Sequence, residues 1–265
     1  MLRLLLAALA LCAPLVAALP IRAQAPAAAP AGAGTARAPV IVPRVVARFP
    51  HDRAAFTEGL IWHDGHLYES VGQTGRSDVR RVELATGRVL ARAAIPATQF
   101  GEGLAAWKGT LVSLTWHDGI AHRWTGALKP LGTLRYRGEG WGLASDSRGF
   151  VRSDGSDTLT FHDPRTLAET RRLRVTLNGR PVTQINELEV VDGAILANVW
   201  HTPYLLRIDL ASGRVTALID LSALVAELGL SDPEAVANGI AWDAQRRRLF
   251  VTGKNWPTLY EIALR

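Results

Sequence analysis

Five three-residue motifs recur along the chain, and the polar or aromatic residues that open them could do chemistry. The motifs are Glu58-Gly59-Leu60, Glu102-Gly103-Leu104, Trp141-Gly142-Leu143, Asn186-Glu187-Leu188 and Asn238-Gly239-Ile240. Counting 13 residues from the middle of each motif, or 15 in the last, reaches Gly72, Trp116, Gly155, Trp200 and Lys254. Carboxylates and one ammonium group beside aromatic walls are costly to bury and usually mark a functional site.

The spacing of these motifs predicts the fold that must position them. Their first residues lie 44, 39, 45 and 52 residues apart, and each motif opens an apolar strand that runs to a turn. Each unit then continues through further strands, as in 78–84 and 88–93, so that it holds four. Five such units predict an all-β fold, a five-bladed β-propeller. Because the innermost strands of all blades surround one channel, equivalent positions should converge at one end of it.

The two ends of the folded region are expected to meet in one sheet. The fifth unit reaches Arg265 after three strands, so the strand at 41–49 is predicted to supply its fourth and close the ring. That pairing would remove two exposed strand edges. Only Leu221 to Leu228 has the spacing of a helix.

Each candidate residue also has an ordinary structural explanation. Glu58 and Glu102 could cap backbone amides at the channel mouth. The repeated tryptophans could simply pack, since propellers often carry one aromatic residue per blade. Lys254 is one of only three lysines among 30 basic residues, and it could be held in an ion pair with a carboxylate.

Several other chemistries lack the residues that they need. The chain has no H-E-x-x-H sequence and no cysteine beyond Cys12, and its seven histidines share no common face, so no transition-metal site is predicted. Neither a G-x-S-x-G motif nor a P-loop is present. The segment 153–157 has the composition of a calcium loop without its spacing and is interpreted as a turn.

The first 40 residues are expected to precede the folded domain. Residues 1–25 are predicted to be a signal peptide, with Arg3, the apolar run Leu4 to Leu19 and an A-x-A cleavage site at 23–25. An uncleaved membrane anchor is the alternative. Residues 26–40, rich in Ala, Pro and Gly, are predicted to be a flexible linker, and residues 41–265 the catalytic propeller. We therefore expect an exported protein, periplasmic or secreted.

The charge of the chain argues against a nucleic-acid partner. The net charge is +6 over 265 residues, or +4 without Arg3 and Arg22, and the arginines are scattered apart from the run 246–248. A nucleic-acid surface needs clustered charge and stacking aromatics on one face. No later stretch has the length and apolarity of a membrane span, so the mature form is expected to lie free of the membrane.

Together with their flanking residues, the motifs resemble those of the plant and bacterial (papaya-type) glutaminyl-peptide cyclotransferases, also called glutaminyl cyclases. The resemblance covers the whole folded region. It is carried by Phe56 to Leu60, Phe100 to Leu104, Gly138 to Leu143, Ser153 to Ser156, Asn186 to Glu189 with Ala197 to Trp200, and Asn238 to Ile240 with Gly253 to Pro257. The family is a five-bladed propeller, in agreement with the repeat count.

The resemblance also implies an activity and roles for the site residues. Members of this family convert the N-terminal glutamine of peptides and proteins to pyroglutamate and release ammonia. Their essential acid/base glutamate corresponds to Glu102, their active-site asparagine to Asn186 and their lysine to Lys254. Their pocket aromatics correspond to Phe56, Trp116, Trp141 and Trp200. Glu58 stands where plant members have glutamine and bacterial members glutamate, so it either binds the substrate or shares a proton with Glu102.

The expected substrates are therefore peptides or proteins with N-terminal glutamine, and a monomer is expected. No cofactor is expected for catalysis and no metal ligand is assigned, although the resemblance allows a structural calcium ion in the channel. Two other functions stay open. One is a carbohydrate-binding propeller, whose sites would normally repeat once per blade. The other is a five-bladed glycosidase, for which Glu58, Glu102 and Glu187 could supply the acid and the base.

Overall fold

The computed structural model describes residues 37–264. The predicted signal peptide, residues 1–25, lies outside the described residues, as do residues 26–36 of the predicted linker and Arg265. Between residues 37 and 264 the chain is almost entirely β-strand, with one helix, α1 (Ser222–Leu228), where the sequence predicts it. In this range no helix combines the length and the apolarity needed to span a membrane.

The strands form five sheets that correspond to the five repeats. Two strands come first, β1 (Val40–Ile41) and β2 (Arg44–Pro50). Blade 1 contains β3 (Thr57–His63), β4 (His66–Val71), β5 (Asp78–Val82) and β6 (Val89–Ala94). Blade 2 contains β7 (Gly101–Trp107), β8 (Thr110–Thr115), β9 (Ile120–Thr125) and β10 (Pro130–Arg135). Blade 3 contains β11 (Leu143–Ser145), β12 (Phe150–Arg152), β13 (Thr158–His162) and β14 (Glu169–Arg174).

A short hairpin, β15 (Thr176–Leu177) and β16 (Arg180–Pro181), connects blade 3 to blade 4. Blade 4 contains β17 (Ile185–Val191), β18 (Ala194–Val199), β19 (Tyr204–Asp209) and β20 (Val215–Asp220). After helix α1, blade 5 contains β21 (Ala237–Asp243), β22 (Arg248–Gly253) and β23 (Thr258–Ala263). In every blade the strands pair in chain order, starting from the innermost one.

The innermost strands of the five blades contact one another in a closed ring. Strand β3 lies beside β7, β7 beside β11, β11 beside β17, β17 beside β21, and β21 beside β3. Buried apolar side chains fill the space between neighbouring blades, as where Ile61 and Val79 of blade 1 meet Leu104 and Leu111 of blade 2. The predicted five-bladed β-propeller is confirmed.

The ring is closed by a strand from the N-terminal side, as predicted. Strand β2 pairs antiparallel with β23, from Arg44 opposite Ala263 to Pro50 opposite Thr258. Strand β1 instead joins blade 4, where it runs parallel to β20. The predicted linker over 26–40 therefore extends too far, because Val40 belongs to a strand and the carbonyl of Pro39 accepts a hydrogen bond from Leu218 N at 2.9 Å. A two-residue strand is too short to show the alternation by which strands are predicted.

The motif glycines allow the backbones of neighbouring blades to approach closely around the channel. A Cβ atom on Gly59 would lie 2.4 Å from the backbone nitrogen of Leu104, and one on Gly103 would lie 2.4 Å from that of Leu143. Only glycine fits at such a distance. These glycines therefore set the spacing of the blades, and with it the width of the channel mouth.

Candidate active site

All eight residues predicted for the site line one cavity of about 220 Å³ where the innermost strands begin. They are Phe56, Glu58, Glu102, Trp116, Trp141, Asn186, Trp200 and Lys254. Gln73, Phe100 and Glu234 complete the lining. The fold thus brings Glu102 and Lys254, which lie far apart in the sequence, to the same cavity.

A β-bulge in the innermost strand directs the side chains that open the motifs toward the cavity. The pairing with the neighbouring strand shifts at the motif in four blades, between Thr57 and Gly59, Gly101 and Leu104, Ile185 and Leu188, and Ala237 and Ile240. A bulge inserts an extra residue and re-aims the side chains next to it. It places Glu58, Glu102 and Asn186 at equivalent points of three blades.

The same backbone hydrogen bond recurs at the second repeated position, the one reached 13 or 15 residues after the middle of each motif. The backbone amides of Gly72, Trp116, Trp200 and Lys254 each donate to the carbonyl of the residue just before the innermost strand of their own blade, over 2.8, 3.0, 2.8 and 2.9 Å. The longer turn of the last repeat therefore leads to Lys254, as the sequence predicts. In blade 3, where β11 and β12 have three residues each, the amide of Gly155 instead donates to the carbonyl of Ile185 at 3.3 Å.

The ammonium group of Lys254 is fixed by Glu58. Lys254 Nζ donates to Glu58 Oε1 at 2.7 Å, and the two residues are 6% and 1% exposed. Asn238 Nδ2 donates to the other carboxylate oxygen of Glu58 at 3.2 Å and to the carbonyl of Thr57 at 2.8 Å. Lys254 Nζ also lies 4.5 Å from the ring centre of Phe56, a favourable cation–π contact. Lys254 is thus held in an ion pair with a carboxylate, one of the roles considered for it from the sequence, and both residues line the cavity.

Glu102 is a carboxylic acid that holds its proton more tightly than usual. Its burial, followed by the negative charge of Glu58, raises the pKa of Glu102 well above its ordinary value, and Lys254 only partly offsets this. Burial also raises the pKa of Glu58, but the Lys254 ammonium limits it to about 6. Two neighbouring carboxyl groups resist joint ionisation. The burial of Glu102 and its nearness to Glu58 therefore both favour the protonated form of Glu102, while the Lys254 ammonium favours the ionised form of Glu58.

Aromatic rings form most of the cavity wall and pack edge to face. The ring centres of Phe56 and Phe100 are 6.2 Å apart, and those of Phe100 and Trp116 are 5.7 Å apart. On the opposite side, the rings of Trp141 and Trp200 are 5.7 Å apart at nearly right angles. Such contacts add stability beyond the area that they bury and keep the wall in one shape.

Glu139 ties two of these indoles together. Trp116 Nε1 and Trp141 Nε1 both donate to Glu139 Oε2, each at 2.9 Å. Partial burial raises the pKa of Glu139, but the hydrogen bonds from Trp141 and Trp116 outweigh it and lower the pKa below its ordinary value. The guanidinium of buried Arg152 donates to the backbone carbonyls of Glu139 and Arg137, which holds the loop in place. Glu139 is therefore a positioning residue for the wall.

Replacing Glu139 by alanine should loosen the two indoles and lower kcat/KM for the reaction proposed below by about tenfold, mainly through a higher KM. The Glu139→Gln variant is the matched control, because an amide oxygen can still accept both indole hydrogen bonds. Steady-state kinetics on both variants, with tryptophan fluorescence to report on the indoles, make the test. A Glu139→Ala enzyme with the wild-type KM and emission would show that the wall does not depend on this carboxylate.

Two buried hydrogen-bonding atoms of cavity-lining residues have no partner among residues 37–264. They are the side-chain oxygen of Asn186 and the indole nitrogen of Trp200, one an acceptor and the other a donor. A buried polar atom without a partner costs free energy, about 1–3 kcal/mol. An acceptor and a donor are what a carboxamide group needs, since its NH₂ donates and its carbonyl accepts.

Glu187 is fully buried and does not line the cavity, whereas its neighbour Asn186 does. Its Oε1 accepts a hydrogen bond from the backbone nitrogen of Leu60 at 3.2 Å. Burial and then the neighbouring Glu189 raise the pKa of Glu187 well above its ordinary value. Glu187 therefore links the innermost strand of blade 4 to the backbone of blade 1.

The structural calcium ion in the channel stays a prediction. In the part of the chain that the structure describes, no three His, Cys, Asp or Glu side chains come together in a way that could hold a metal. Calcium prefers several anionic or carbonyl oxygens. In the channel, Glu187 Oε1 accepts a hydrogen bond from the backbone of Leu60, while Glu187 Oε2 has no hydrogen-bond partner among residues 37–264.

Four residues of the site lie outside the repeated positions that the sequence assigns to it. Phe100 precedes its motif as Phe56 does, so the repeat register could have identified it. Gln73 follows a repeated position directly, and Glu139 comes two residues before Trp141, but neither has an equivalent in another blade. Glu234 lies in the connection between helix α1 and β21, where no register applies.

A five-bladed propeller with a carboxyl group of raised pKa, a fixed ammonium group and aromatic walls in one small cavity defines an enzyme of the acid/base type. The cavity is far smaller than a cleft for a polymer. Unpartnered carboxamide-compatible groups within it point to an amide substrate.

Comparison with known proteins agrees with this class. The family model for glutamine cyclotransferase matches residues 15–264. A glutaminyl-peptide cyclotransferase from Arabidopsis thaliana is 41% identical over 226 residues, which cover 83% of this chain and 71% of the plant protein. The crystal structure of the glutaminyl cyclase of Myxococcus xanthus superposes with a TM-score of 0.81 at 40% identity, covering 84% of this chain and 97% of that one. The chain belongs to the glutamine cyclotransferase family.

Proposed function

We propose that this enzyme cyclises the N-terminal glutamine of peptides and proteins, with Glu102 as the acid/base group and without a metal ion. The α-amino nitrogen attacks the side-chain carboxamide carbon, and a nitrogen–carbon bond forms to close a five-membered lactam. The bond from that carbon to the amide nitrogen breaks, and ammonia leaves. One proton moves from the attacking nitrogen to the leaving nitrogen, so the products are a pyroglutamyl peptide and ammonia.

The observation that carries this proposal is the set of groups in the cavity. Glu102, whose pKa is raised, lines the same aromatic-walled cavity as Asn186 and Trp200, whose side-chain oxygen and indole N–H have no partner among residues 37–264. A glutamine carboxamide would satisfy both unpartnered atoms and would lie within reach of the acid. The wall also keeps out water, which could otherwise hydrolyse the amide.

Glu102 assists the more difficult step of the reaction, the departure of the amide nitrogen. The α-amine has an ordinary pKa near 7.7, so a useful fraction is neutral at pH 7 and can attack without strong activation. The amide nitrogen is a poor leaving group until it is protonated. A carboxyl group with a raised pKa is suited to deliver that proton and to take up the one that the attacking amine releases. Such proton transfer contributes a factor of about 10² to 10⁴ in rate.

Lys254 is placed to stabilise the negative charge on the carboxamide oxygen during attack. Its ammonium has three N–H bonds, and one of them is used on Glu58. A preorganised donor of this kind is worth about 3 kcal/mol in the transition state. Glu58 would then act through Lys254, as the group that fixes the ammonium and keeps the neighbouring Glu102 protonated.

The cavity supports the two alternative functions less well. A glycosidase needs two carboxyl groups free to act on either side of a bond. Glu58 is engaged by Lys254 and Asn238, and Glu187 does not line the cavity. A carbohydrate-binding propeller would repeat its site once per blade, whereas the blades here contribute unlike residues to one cavity.

The direct test is to incubate the purified enzyme with a short glutaminyl peptide and follow its mass and the ammonia released. We expect the peptide to lose one ammonia, and we expect an excess of chelator to leave the rate unchanged. Matched peptides that begin with glutamate or asparagine should react far more slowly, since the first has a poorer acceptor and the second would close a strained four-membered ring.

The proposal fails if the glutaminyl peptide is unchanged under conditions where the enzyme is folded. Loss of activity with chelator and its return with zinc would instead place the chemistry on a metal. Cleavage of an oligosaccharide, or its binding without turnover, would favour one of the two alternatives.

We also infer that the protein is exported and acts as a monomer. The inference of export is supported by the apolar run Leu4 to Leu19, the flanking Arg3 and the A-x-A sequence at 23–25. Cell fractionation and size-exclusion chromatography check the two statements. Protein retained in the cytoplasm, or a stable dimer, would overturn the corresponding one.

A further inference from the structure

A second, polar cavity lies on the same face of the propeller as the cavity described above. Its volume is about 760 Å³, and it extends over blade 1 from the end of β4 to the end of β6. The connection from β2 to β3 borders it through Asp52 and Ala54, and the connection from β6 to β7 through 95–97. We call this cavity the blade 1 trough.

We call the cavity of the candidate active site the glutamine cavity, and the trough begins where it ends. Gln73 lines both cavities, and Gly72 beside it lines the trough. A Cβ atom on Gly72 would lie 2.8 Å from Glu58 Cγ and 2.4 Å from the ring of Phe100, so its backbone is packed against the glutamine cavity. The two cavities are thus separated by a single backbone segment, 72–73. One residue of extended peptide spans about 3.3–3.6 Å, so two or three residues could reach across it.

Two of the three arginines in the trough form ion pairs with its carboxylates, and within residues 37–264 the third does not. The carboxylates of Asp52 and Asp78 bind the buried guanidinium of Arg80 at 2.9 and 2.8 Å, and Asp78 also binds Arg92 at 3.2 Å. The third arginine, Arg76, is exposed, and no carboxylate within the described residues forms an ion pair with it. Its guanidinium donates to the side-chain oxygen of Gln73, at the border of the two cavities.

The turn that carries Arg76 is firmly held. Arg76 N donates to the carbonyl of Gln73 at 2.9 Å, and Ser77 Oγ donates to the same carbonyl at 2.8 Å. Ser77 Oγ in turn accepts a hydrogen bond from Gly101 N of blade 2 at 2.9 Å. Gln73 has a positive φ of 103°, a conformation that non-glycine residues keep only where the surroundings impose it.

The two carboxylates at the edge of the first cavity each have a histidine beside them: His117 Nδ1 lies 3.5 Å from Glu139 Oε1, and His201 Nε2 lies 3.7 Å from Glu234 Oε1. Glu234 lines the glutamine cavity, and Glu139 binds its two indoles. On the trough side the exposed guanidinium of Arg76 has no carboxylate partner among the described residues and would attract an acidic residue of the peptide. The charge distribution therefore gives the peptide chain a preferred direction of exit.

We propose that the blade 1 trough binds the two or three substrate residues that follow the N-terminal glutamine, and that Arg76 makes it selective for peptides with an acidic residue there. This inference rests on the proposed function, because it concerns the rest of the same substrate. The trough would supply binding energy from parts of the substrate remote from the reacting atoms. Since the ion pair with Arg76 is exposed to water, its contribution should be modest and sensitive to salt.

The test measures kcat/KM at low salt for peptides Gln-X-Ala-amide with X as Glu, Ala or Lys, and for glutamine amide, which has no following residue. We expect kcat/KM to rise from glutamine amide to the tripeptides, and the Glu peptide to exceed the Lys peptide by about fivefold. Arg76→Gln should abolish this ratio and Arg76→Glu should invert it, with little effect on glutamine amide. Arg148→Gln, at the turn between β11 and β12 on the opposite face, is the matched control and should retain the ratio.

Each outcome decides one question. If no substrate releases ammonia, the proposed function is wrong. If glutamine amide is cyclised as well as the tripeptides, the trough does not bind the peptide. If the Glu to Lys ratio is near one in the wild type, the trough is not selective for an acidic residue. A wild-type ratio that persists in both Arg76 variants would assign the selectivity to another group and overturn the role of Arg76.

Discussion

Replacing Glu102 by glutamine is expected to lower kcat for a glutaminyl peptide by a factor of about 10² to 10⁴ while the propeller stays folded. Glutamine has nearly the same shape as protonated glutamic acid, so packing in the cavity is preserved. It neither releases nor accepts a proton on the time scale of the reaction. Stopped-flow or coupled ammonia assays give the rate, and circular dichroism with thermal unfolding checks the fold.

The matched control is Glu187→Gln. Glu187 is also a buried glutamate of the channel with a raised pKa, but it lies outside the cavity and accepts a hydrogen bond from Leu60. Glutamine can keep that bond, and activity should stay within a few-fold of the wild type. If the two variants were equally active, Glu102 would lose its role. Equal inactivation of both would show that activity depends on channel charge in general.

The pH dependence gives an independent signature of Glu102. The productive complex contains one proton to share between the carboxyl group and the substrate amine, whose ordinary pKa is near 7.7. At low pH both groups are protonated and the amine cannot attack, and at high pH both have lost their protons and the amide has no acid. Because the pKa of Glu102 is raised, the acid limb of kcat/KM should lie above the ordinary range of a glutamate. An acid limb at the pKa of an exposed glutamate would contradict this assignment.

Replacing Lys254 by methionine is expected to reduce both activity and stability. The transition state loses a donor near the developing oxyanion, which should lower kcat by a factor of about 10² to 10³. The Glu58 carboxylate also stays buried without its counter-ion, a change that costs about 3–5 kcal/mol in buried ion pairs of this kind. Thermal or urea unfolding measures the second effect separately from the first.

The double variant Glu58→Gln with Lys254→Met separates the two roles. Removing both charges eliminates the unpaired carboxylate, so stability should return close to that of the wild type, while activity should stay low. Lys108→Met, at the turn after β7 on the opposite face, controls for the loss of a lysine and should change neither property. If Lys254→Met were as stable and as active as the wild type, the fixed ammonium would have no part in either.

The repeat register is what made the fold and most of the site predictable. A closed ring forces equivalent positions to converge, so motifs at one register had to meet even though Glu58 and Lys254 lie at opposite ends of the chain. The same logic extends to the insertion before Lys254, because a longer turn on the far face does not move the strand that follows it.

The repeat register does not predict which side chains in the cavity form hydrogen bonds and ion pairs with one another. The spacing of the motifs does not show that Glu58 forms the ion pair with Lys254 or that the pKa of Glu102 is raised. Both depend on distances and on burial. Glu139 and Arg76 lie in connections that differ from blade to blade, so no repeat identifies them. The early end of the predicted linker has the same origin, because a two-residue strand carries no pattern.

Because β2 pairs with β23, the ring cannot close until this late strand has been made. Strand β2 is made among the first, yet Val45 has its partner only when Ile262 is available. Until then both edges of the incomplete ring expose unpaired backbone groups, which readily pair with other chains. Contacts between such distant residues also form slowly. A chain truncated before Thr258 would lack β23 altogether and would leave β2 and β22 as permanently open, aggregation-prone edges.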